Sequence, residues 1–302
     1  MRLVNNSFQN PSSMNKILFA SVMLLFVVAS FAQPTQYTRS GRHGVWMEVL
    51  ADTTNPCRFT EDNLIYKEGR EFTYQFRYFN ALGKEQYMKY VRIPKEKFEI
   101  STSGDTLDSY VAYYPDFVFT DIFDVSDSCT NRYKIKVKCQ HRVFGADYDQ
   151  TVEEFLIWID GNYKALSWSG IVENERNLWM HPNRSCLFRV LELNPFPYIQ
   201  YPVKKGKSWK WKLTIGSQWG DSRWKEWEET IVNRYKYKIT DLHCEVKTLM
   251  GTMSCVKTEL VARSRIGKTF LTSYYNDQYG FVRMENTNID GSRIVVDLVE
   301  VK

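Results

Sequence analysis

The sequence predicts a mainly β fold made of antiparallel sheets, and three observations support this. Apolar and polar residues alternate with a period of two in several segments, turn residues separate these segments, and no capped amphipathic helix follows residue 32. Of the 302 residues, 43% are hydrophobic and only 15 are Gly and 9 Pro, which excludes disordered and collagen-like chains. We expect two β-rich domains, arranged as a sandwich, a curved half-barrel, or both.

Four segments carry the alternation, and the first three each place one apolar face on a core and one polar face in water. The residues predicted to face the core are Phe72, Tyr74, Phe76 and Tyr78, then Tyr133, Ile135, Val137 and Cys139, then Trp209, Trp211, Leu213 and Ile215, and finally Ile294, Val296 and Leu298. In the last segment Val295 and Val299 lie on the opposite face, so we expect that strand to be partly covered on both faces. Asp160-Gly161 and Asp290-Gly291 are tight-turn signals between strands.

Residues 1–32 have the features of a secretory signal peptide. Lys16 supplies the positive charge, residues 17–30 are largely apolar, and Ser30-Phe31-Ala32 fits a cleavage site between small residues. The apolar run is shorter than the ~20 residues of a membrane-spanning helix, which favours cleavage over an uncleaved anchor. We therefore expect export to the periplasm or the extracellular space, with no transmembrane segment after cleavage.

The boundary between the two β-rich domains is placed near residue 190, giving residues 33–190 and 191–302. Residues 180–185 are polar, and Asn194-Pro195-Phe196-Pro197 follows a short apolar run. Because proline cannot donate to a strand ladder, this segment is expected to be a linker or an edge strand.

Charge gives little support for a nucleic-acid partner. The whole chain has a net charge of +5, which falls to +3 when the signal peptide removes Arg2 and Lys16. A nucleic-acid-binding protein would need a clustered basic face and a clearly higher isoelectric point.

The six cysteines all follow the signal peptide, and an even number in an exported chain favours disulfides. Cys244 and Cys255 are nearly symmetric about Leu249-Met250-Gly251, so an antiparallel hairpin would bring them opposite each other. Cys129 and Cys139 bracket a similar return, which leaves Cys57 and Cys186 for each other. Buried free thiols are the alternative.

Motifs for catalysis and cofactor binding are missing from the sequence. The histidines at 43, 141, 181 and 243 stand apart, and no Cys-x-x-Cys or glycine-rich phosphate loop occurs, so we expect neither a metal nor a cofactor. Glu226 and Glu228, as i, i+2 neighbours on a strand, have the approximate spacing of glycosidase carboxylates. A solvated polar face is the plainer interpretation of this pair.

A tryptophan-rich segment offers a candidate ligand site. Five of the nine tryptophans lie between residues 209 and 227. Trp219, Trp224 and Trp227 could stack on a sugar or contact a lipid chain, and Arg223 could bind an anionic group. Packing of the same tryptophans into the core is the competing interpretation.

Short motifs in the C-terminal third resemble those of a known family. Gly206-Lys207-Ser208-Trp209, residues 246–252, Tyr279-Gly280-Phe281-Val282 and Asp290-Gly291 occur in that order. This pattern is similar to an uncharacterised family of exported, β-rich Gram-negative envelope proteins. The resemblance covers residues 203–302 and implies an antiparallel half-barrel like that of periplasmic lipoprotein carriers, with no catalytic residues.

Two functions are consistent with the sequence. The first is a non-catalytic cell-envelope protein that binds a lipid, a glycan or a protein partner on a β scaffold. The second is a secreted hydrolase acting on polysaccharide. An apolar cavity inside the sheet would favour lipid carriage, whereas a filled core would favour a structural or protein-binding role.

Overall fold

The computed structural model describes residues 37–39, 46–48, 63–90, 117–121, 132–138, 151–159 and 162–302, and these described residues belong to one compact unit. The predicted signal peptide, the Asp160-Gly161 turn, and Cys57, Cys129 and Cys139 lie outside the described residues.

The predicted fold class is confirmed, because strands make up most of the described chain. The strands before residue 190 are β1 (Tyr37–Arg39), β2 (Trp46–Glu48), β3 (Glu71–Phe79), β4 (Glu85–Tyr90), β5 (Phe117–Asp121), β6 (Arg132–Lys138), β7 (Thr151–Ile159), β8 (Asn162–Asn174) and β9 (Asn177–Met180). The later strands are β10 (Tyr198–Gln200), β11 (Ser208–Ile215), β12 (Ile231–Thr248), β13 (Gly251–Ser264), β14 (Gly267–Asn276), β15 (Gly280–Thr287) and β16 (Arg293–Val301). The described part of the chain also contains two short 3-10 helices, Cys186–Leu193 and Ser217–Trp219.

Fourteen of these strands form one antiparallel sheet, in the order β10-β9-β8-β7-β6-β3-β16-β15-β14-β13-β12-β11, with β4 and β5 branching from β3. The sheet passes across residue 190, because β16 pairs directly with β3, with Val296 opposite Phe76. The division into domains near residue 190 stays a prediction, and it does not correspond to a break between sheets.

The alternating pattern sets which face of each strand is buried. The inner residues of β3 and β6 are at most 9% exposed, while the residues between them are more accessible to solvent. In β16, Val295 is buried together with Ile294 and Val296, so this strand is covered on both faces as its sequence indicated. The predicted Asp290-Gly291 turn joins β15 to β16, and Leu249 and Met250 form the turn between β12 and β13.

Aromatic side chains bring the two ends of the sheet together. Tyr198 on β10 packs edge-on against Trp209 on β11, with ring centres 5.5 Å apart. Next to this contact, Trp179 on β9 meets Trp211 on β11 at 5.9 Å. The ammonium group of Lys207 donates to the carbonyl oxygens of three consecutive residues, Gln200, Tyr201 and Pro202, at 3.0–3.1 Å. The sheet therefore curves until its edge strands are joined by side chains, without strand pairing between β10 and β11.

Candidate functional site

A segment of the protein's own chain fills the interior of the curved sheet, where a ligand would otherwise bind. Residues 187–200 are all buried, and the 3-10 helix Cys186–Leu193 packs into the main core. Phe188 contacts Phe76 and Tyr133 with ring centres 4.9 and 5.4 Å apart. Farther along, Phe196 contacts Trp211 at 5.6 Å. We call residues 181–200 the internal segment.

The prolines predicted a linker or an edge strand here, and the second alternative holds, because β10 lies at an edge of the sheet. Asparagines allow this polar-looking chain to be buried, because they bond to its backbone or to each other. Asn233 donates to the carbonyl oxygen of Leu193 at 2.7 Å, and Thr269 donates to the same oxygen at 2.7 Å. Asn194 donates to the side-chain oxygens of Asn286 and Asn288 at 3.3 and 3.0 Å.

A charged cluster fixes the start of the internal segment to its 3-10 helix. Arg184 Nε donates to Glu192 Oε1 at 2.8 Å, and its Nη2 lies 2.6 Å from His181 Nε2. His181 Nδ1 lies 2.7 Å from the Pro182 carbonyl oxygen, so Nδ1 carries the proton and Nε2 accepts. Burial, reinforced by Arg184, lowers the pKa of His181, while burial raises that of Glu192 against the opposing effect of Arg184. The cluster is internally satisfied and its histidine is neutral.

A small cavity remains between the internal segment and the sheet. Its volume is about 30 Å³, and Tyr133, Phe155, Met180, Phe188 and Met284 contribute to its mainly apolar lining. This volume is close to that of a single water molecule. The cavity cannot hold a lipid acyl chain while the internal segment is in place.

The tryptophans of the predicted site are partly packed into the core and partly in contact with arginines of the same chain. Trp227 is buried beside Leu193, Ile215 and Ile231, and Trp219 packs against the same small cluster. The guanidinium carbons of Arg184 and Arg189 lie 5.4 and 5.8 Å from the ring centre of Trp219. The indole that was predicted to stack on a ligand is therefore already in contact with two cations of the chain itself.

Arg223 and Trp224 form a second local contact near that indole. The Arg223 guanidinium lies 4.8 Å from the Trp224 ring and donates to both carboxylate oxygens of Asp221, at 2.8 and 2.6 Å. Burial raises the pKa of Asp221, but these hydrogen bonds outweigh it and hold the pKa below its usual range. Ligand binding by Trp219, Arg223, Trp224 and Trp227 stays a prediction, and a ligand would have to compete with Asp221 for Arg223.

Two other sequence-based expectations require correction. Glu226 and Glu228 are exposed in an irregular segment before β12, so they do not have the strand geometry assumed for a carboxylate pair. Cys244 and Cys255 are directly opposite on β12 and β13, as expected, but the disulfide between them is wrong because both are free thiols. Cys255 Sγ instead lies 3.6 Å from the Met253 carbonyl oxygen, and burial raises its pKa to about 11.

Glu153 is a carboxylic acid buried in the interior. It lies on β7 between Val137 on β6 and Ser169 on β8 and is completely buried. Among the residues that the structure describes, neither of its carboxylate oxygens has a hydrogen-bond partner. Burial raises its pKa well above the ordinary value for glutamate. The hydroxyl groups of Tyr66, Tyr74 and Tyr133, which face the same region, also have raised pKa values because of burial. No signal in the sequence marked Glu153, which follows Val152 in a run that alternates imperfectly.

We expect Glu153 to make the protein less stable as pH rises. The folded state binds this proton more tightly than the unfolded chain, so stability is greatest below the unfolded pKa and falls as pH rises toward the raised folded pKa. Glu153→Gln should abolish this slope, and Glu153→Met, which also removes the unsatisfied oxygens, should add about 1–3 kcal/mol at mildly alkaline pH. Denaturant unfolding across pH measures both effects. Glu154→Gln, on the opposite face of β7, should keep the slope, and an unchanged slope in Glu153→Gln would contradict the assignment.

Within the described residues, no group of three or more potential ligand side chains is placed to hold a metal ion. In that same part of the chain, no helix combines the length and apolar character needed to cross a bilayer.

Comparisons with known proteins identify similar structures but no family. No family model matches the chain, and no curated protein matches it. An inferred exported protein with a YmcC-like fold from Bacteroides fragilis is 11% identical, with a TM-score of 0.40 over 80% of this chain and 98% of that one. An inferred lipoprotein from Parabacteroides distasonis is 13% identical, with a TM-score of 0.38 over 79% of this chain and 97% of that one.

Proposed function

We propose that the protein is an exported, non-catalytic component of the cell envelope that binds its partner on the outer surface of the sheet. The observation that carries this proposal is the filled interior. Among the described residues, the internal segment occupies the space that a carrier would use for a lipid, and the cavity beside it, of about 30 Å³, is too small for one.

The chemistry of the described residues also favours binding over catalysis. The cluster of His181, Arg184 and Glu192 uses its polar atoms to hold the internal segment. The Cys255 thiol has a raised pKa, which is opposite to what a nucleophilic cysteine requires. Export is supported by the signal-peptide features of residues 1–32.

Native mass spectrometry of the protein, purified after expression of the full chain with its signal peptide, tests both parts of the proposal. We expect the mass of the polypeptide that begins at Gln33, found in the periplasmic or secreted fraction, with no lipid retained after a high-salt wash. A stoichiometric lipid that resists this wash would contradict surface binding and favour carriage in the interior, because salt weakens the attraction of lipid phosphates to exposed charges. An unprocessed chain in the cytosol would contradict export. Bovine serum albumin loaded with oleate in the same buffer is the control for lipid retention during the measurement.

A further inference from the structure

The outer face of β11–β14 carries a row of four cations that runs across the strands. Lys212 is directly opposite Arg234, Arg234 is opposite Arg263, and Arg263 is opposite Lys268. All four side chains are exposed. With strands about 4.8 Å apart, the row extends about 14 Å across the sheet.

Three more exposed cations lie beside this row. Lys210 is opposite Lys236, and Lys238 follows two residues later on β12. We call these seven residues the basic face. Among the described residues directly opposite these seven, the one acidic side chain is Glu259, which is opposite Lys238 but forms its ion pair with Lys257 at 3.0 Å.

The arrangement is unfavourable for folding. Like charges directly opposite each other on neighbouring strands repel, and this row contains three such pairs in succession. Within the part of the chain that the structure describes, none of the four forms an ion pair. The lysines of β6 differ in this respect, because Lys134, Lys136 and Lys138 are all paired with Glu71 or Glu154 at 2.8–3.5 Å. Uncompensated charge at this position indicates an external anionic partner.

Exposed apolar side chains among the cations indicate which class of anionic partner fits this face. Phe270 is 45% exposed on β14, and its cross-strand neighbour Val261 lies next to Lys236. Val232, 37% exposed, lies two residues before Arg234. A bilayer surface offers both phosphate groups and hydrocarbon at slightly greater depth, which fits cations interspersed with exposed apolar side chains.

We propose that the basic face binds the surface of an anionic phospholipid membrane, with the ammonium and guanidinium groups on lipid phosphates and Phe270 at the headgroup boundary. This names the partner of the proposed envelope protein and rests on that proposal for its location in the cell. The low net charge gave no sign of this cluster, which forms through the register of β11–β14.

Flotation with vesicles tests the membrane proposal on residues 33–302, which contain the whole compact unit. We expect binding to vesicles of phosphatidylglycerol and phosphatidylethanolamine in equal parts, none to phosphatidylcholine, and a steep decrease with added salt. Arg234→Glu with Arg263→Glu should weaken binding at least about tenfold, since each cation near an anionic surface contributes about 1 kcal/mol. Lys204→Glu with Lys205→Glu changes the net charge equally at an exposed turn outside the basic face and should have little effect.

Several outcomes would overturn the proposal. These are no binding to the anionic vesicles at low salt, equal losses in the two double variants, or full displacement by soluble heparin with no effect of Phe270→Ser at fixed salt. Circular dichroism of each variant establishes that it is folded, and the salt dependence of the unmodified protein does not rely on any variant. Because the experiment uses purified protein, it is independent of the fractionation that tests export.

Discussion

Phe188→Ala is expected to reduce the free energy of unfolding by about 3–5 kcal/mol, the range typical of deleting a large buried aromatic side chain. Phe188 is 1% exposed and links the 3-10 helix of the internal segment to Phe76 on β3 and Tyr133 on β6. It also lines the existing cavity, so its removal adds new empty volume to that space. Denaturant unfolding of the variant measures the effect.

The same variant gives a direct test of the filled interior. An apolar cavity of sufficient size stays dry and binds small apolar molecules, so benzene should stabilise Phe188→Ala and leave the unmodified protein unchanged. Phe188→Leu, which retains much of the volume, is the matched control and should lose less stability and respond weakly to benzene. A loss below about 1 kcal/mol in Phe188→Ala would show that the internal segment is not packed as described.

The fold class and the inner faces of most strands could be predicted because the signal is local. A strand with one buried face must alternate, so Phe72, Tyr74 and Phe76 identify both the strand and its inner side. The same reasoning placed Trp209 and Trp211 in the core, and both are at most 9% exposed. The β12–β13 hairpin was also predictable, since a turn and two strands are adjacent in sequence.

Features that depend on long-range packing could not be predicted. The internal segment looks like a linker because of its prolines and polar residues. Its burial depends on Asn233, Thr269 and Asn286, which lie 40, 76 and 92 positions along the chain from the residues they bond. The basic face could not be predicted from the sequence for a related reason. Each of its strands shows ordinary polar alternation, and only the register across four strands places its central row of cations together.

Gly280, in the motif Tyr279-Gly280-Phe281-Val282, occupies a position where the structure requires glycine. It begins β15 with a φ of 75°, a left-handed conformation that is unfavourable for a residue with a side chain. A Cβ atom at this position would lie against the hydroxyl oxygen of Tyr66 and 2.9 Å from its Cε2 and Cζ atoms. Tyr66 is fully buried and has little freedom to move, because Glu173 accepts hydrogen bonds from the backbone N–H groups of Leu64, Ile65 and Tyr66 at 2.8–3.0 Å.

Gly280→Ala should therefore reduce the free energy of unfolding by about 2–5 kcal/mol, which combines about 1–2 kcal/mol for the left-handed backbone with about 1–3 kcal/mol for overpacking. Gly83→Ala separates the two contributions, since Gly83 has a φ of 79° but a Cβ added there would have no atom within 4 Å, and only the backbone cost should remain. In a double-mutant cycle, Tyr66→Phe should recover part of the Gly280→Ala loss because it removes the nearest atom. Equal losses in Gly83→Ala and Gly280→Ala would mean that the contact with Tyr66 contributes nothing, and the glycine would then be required for its backbone conformation alone.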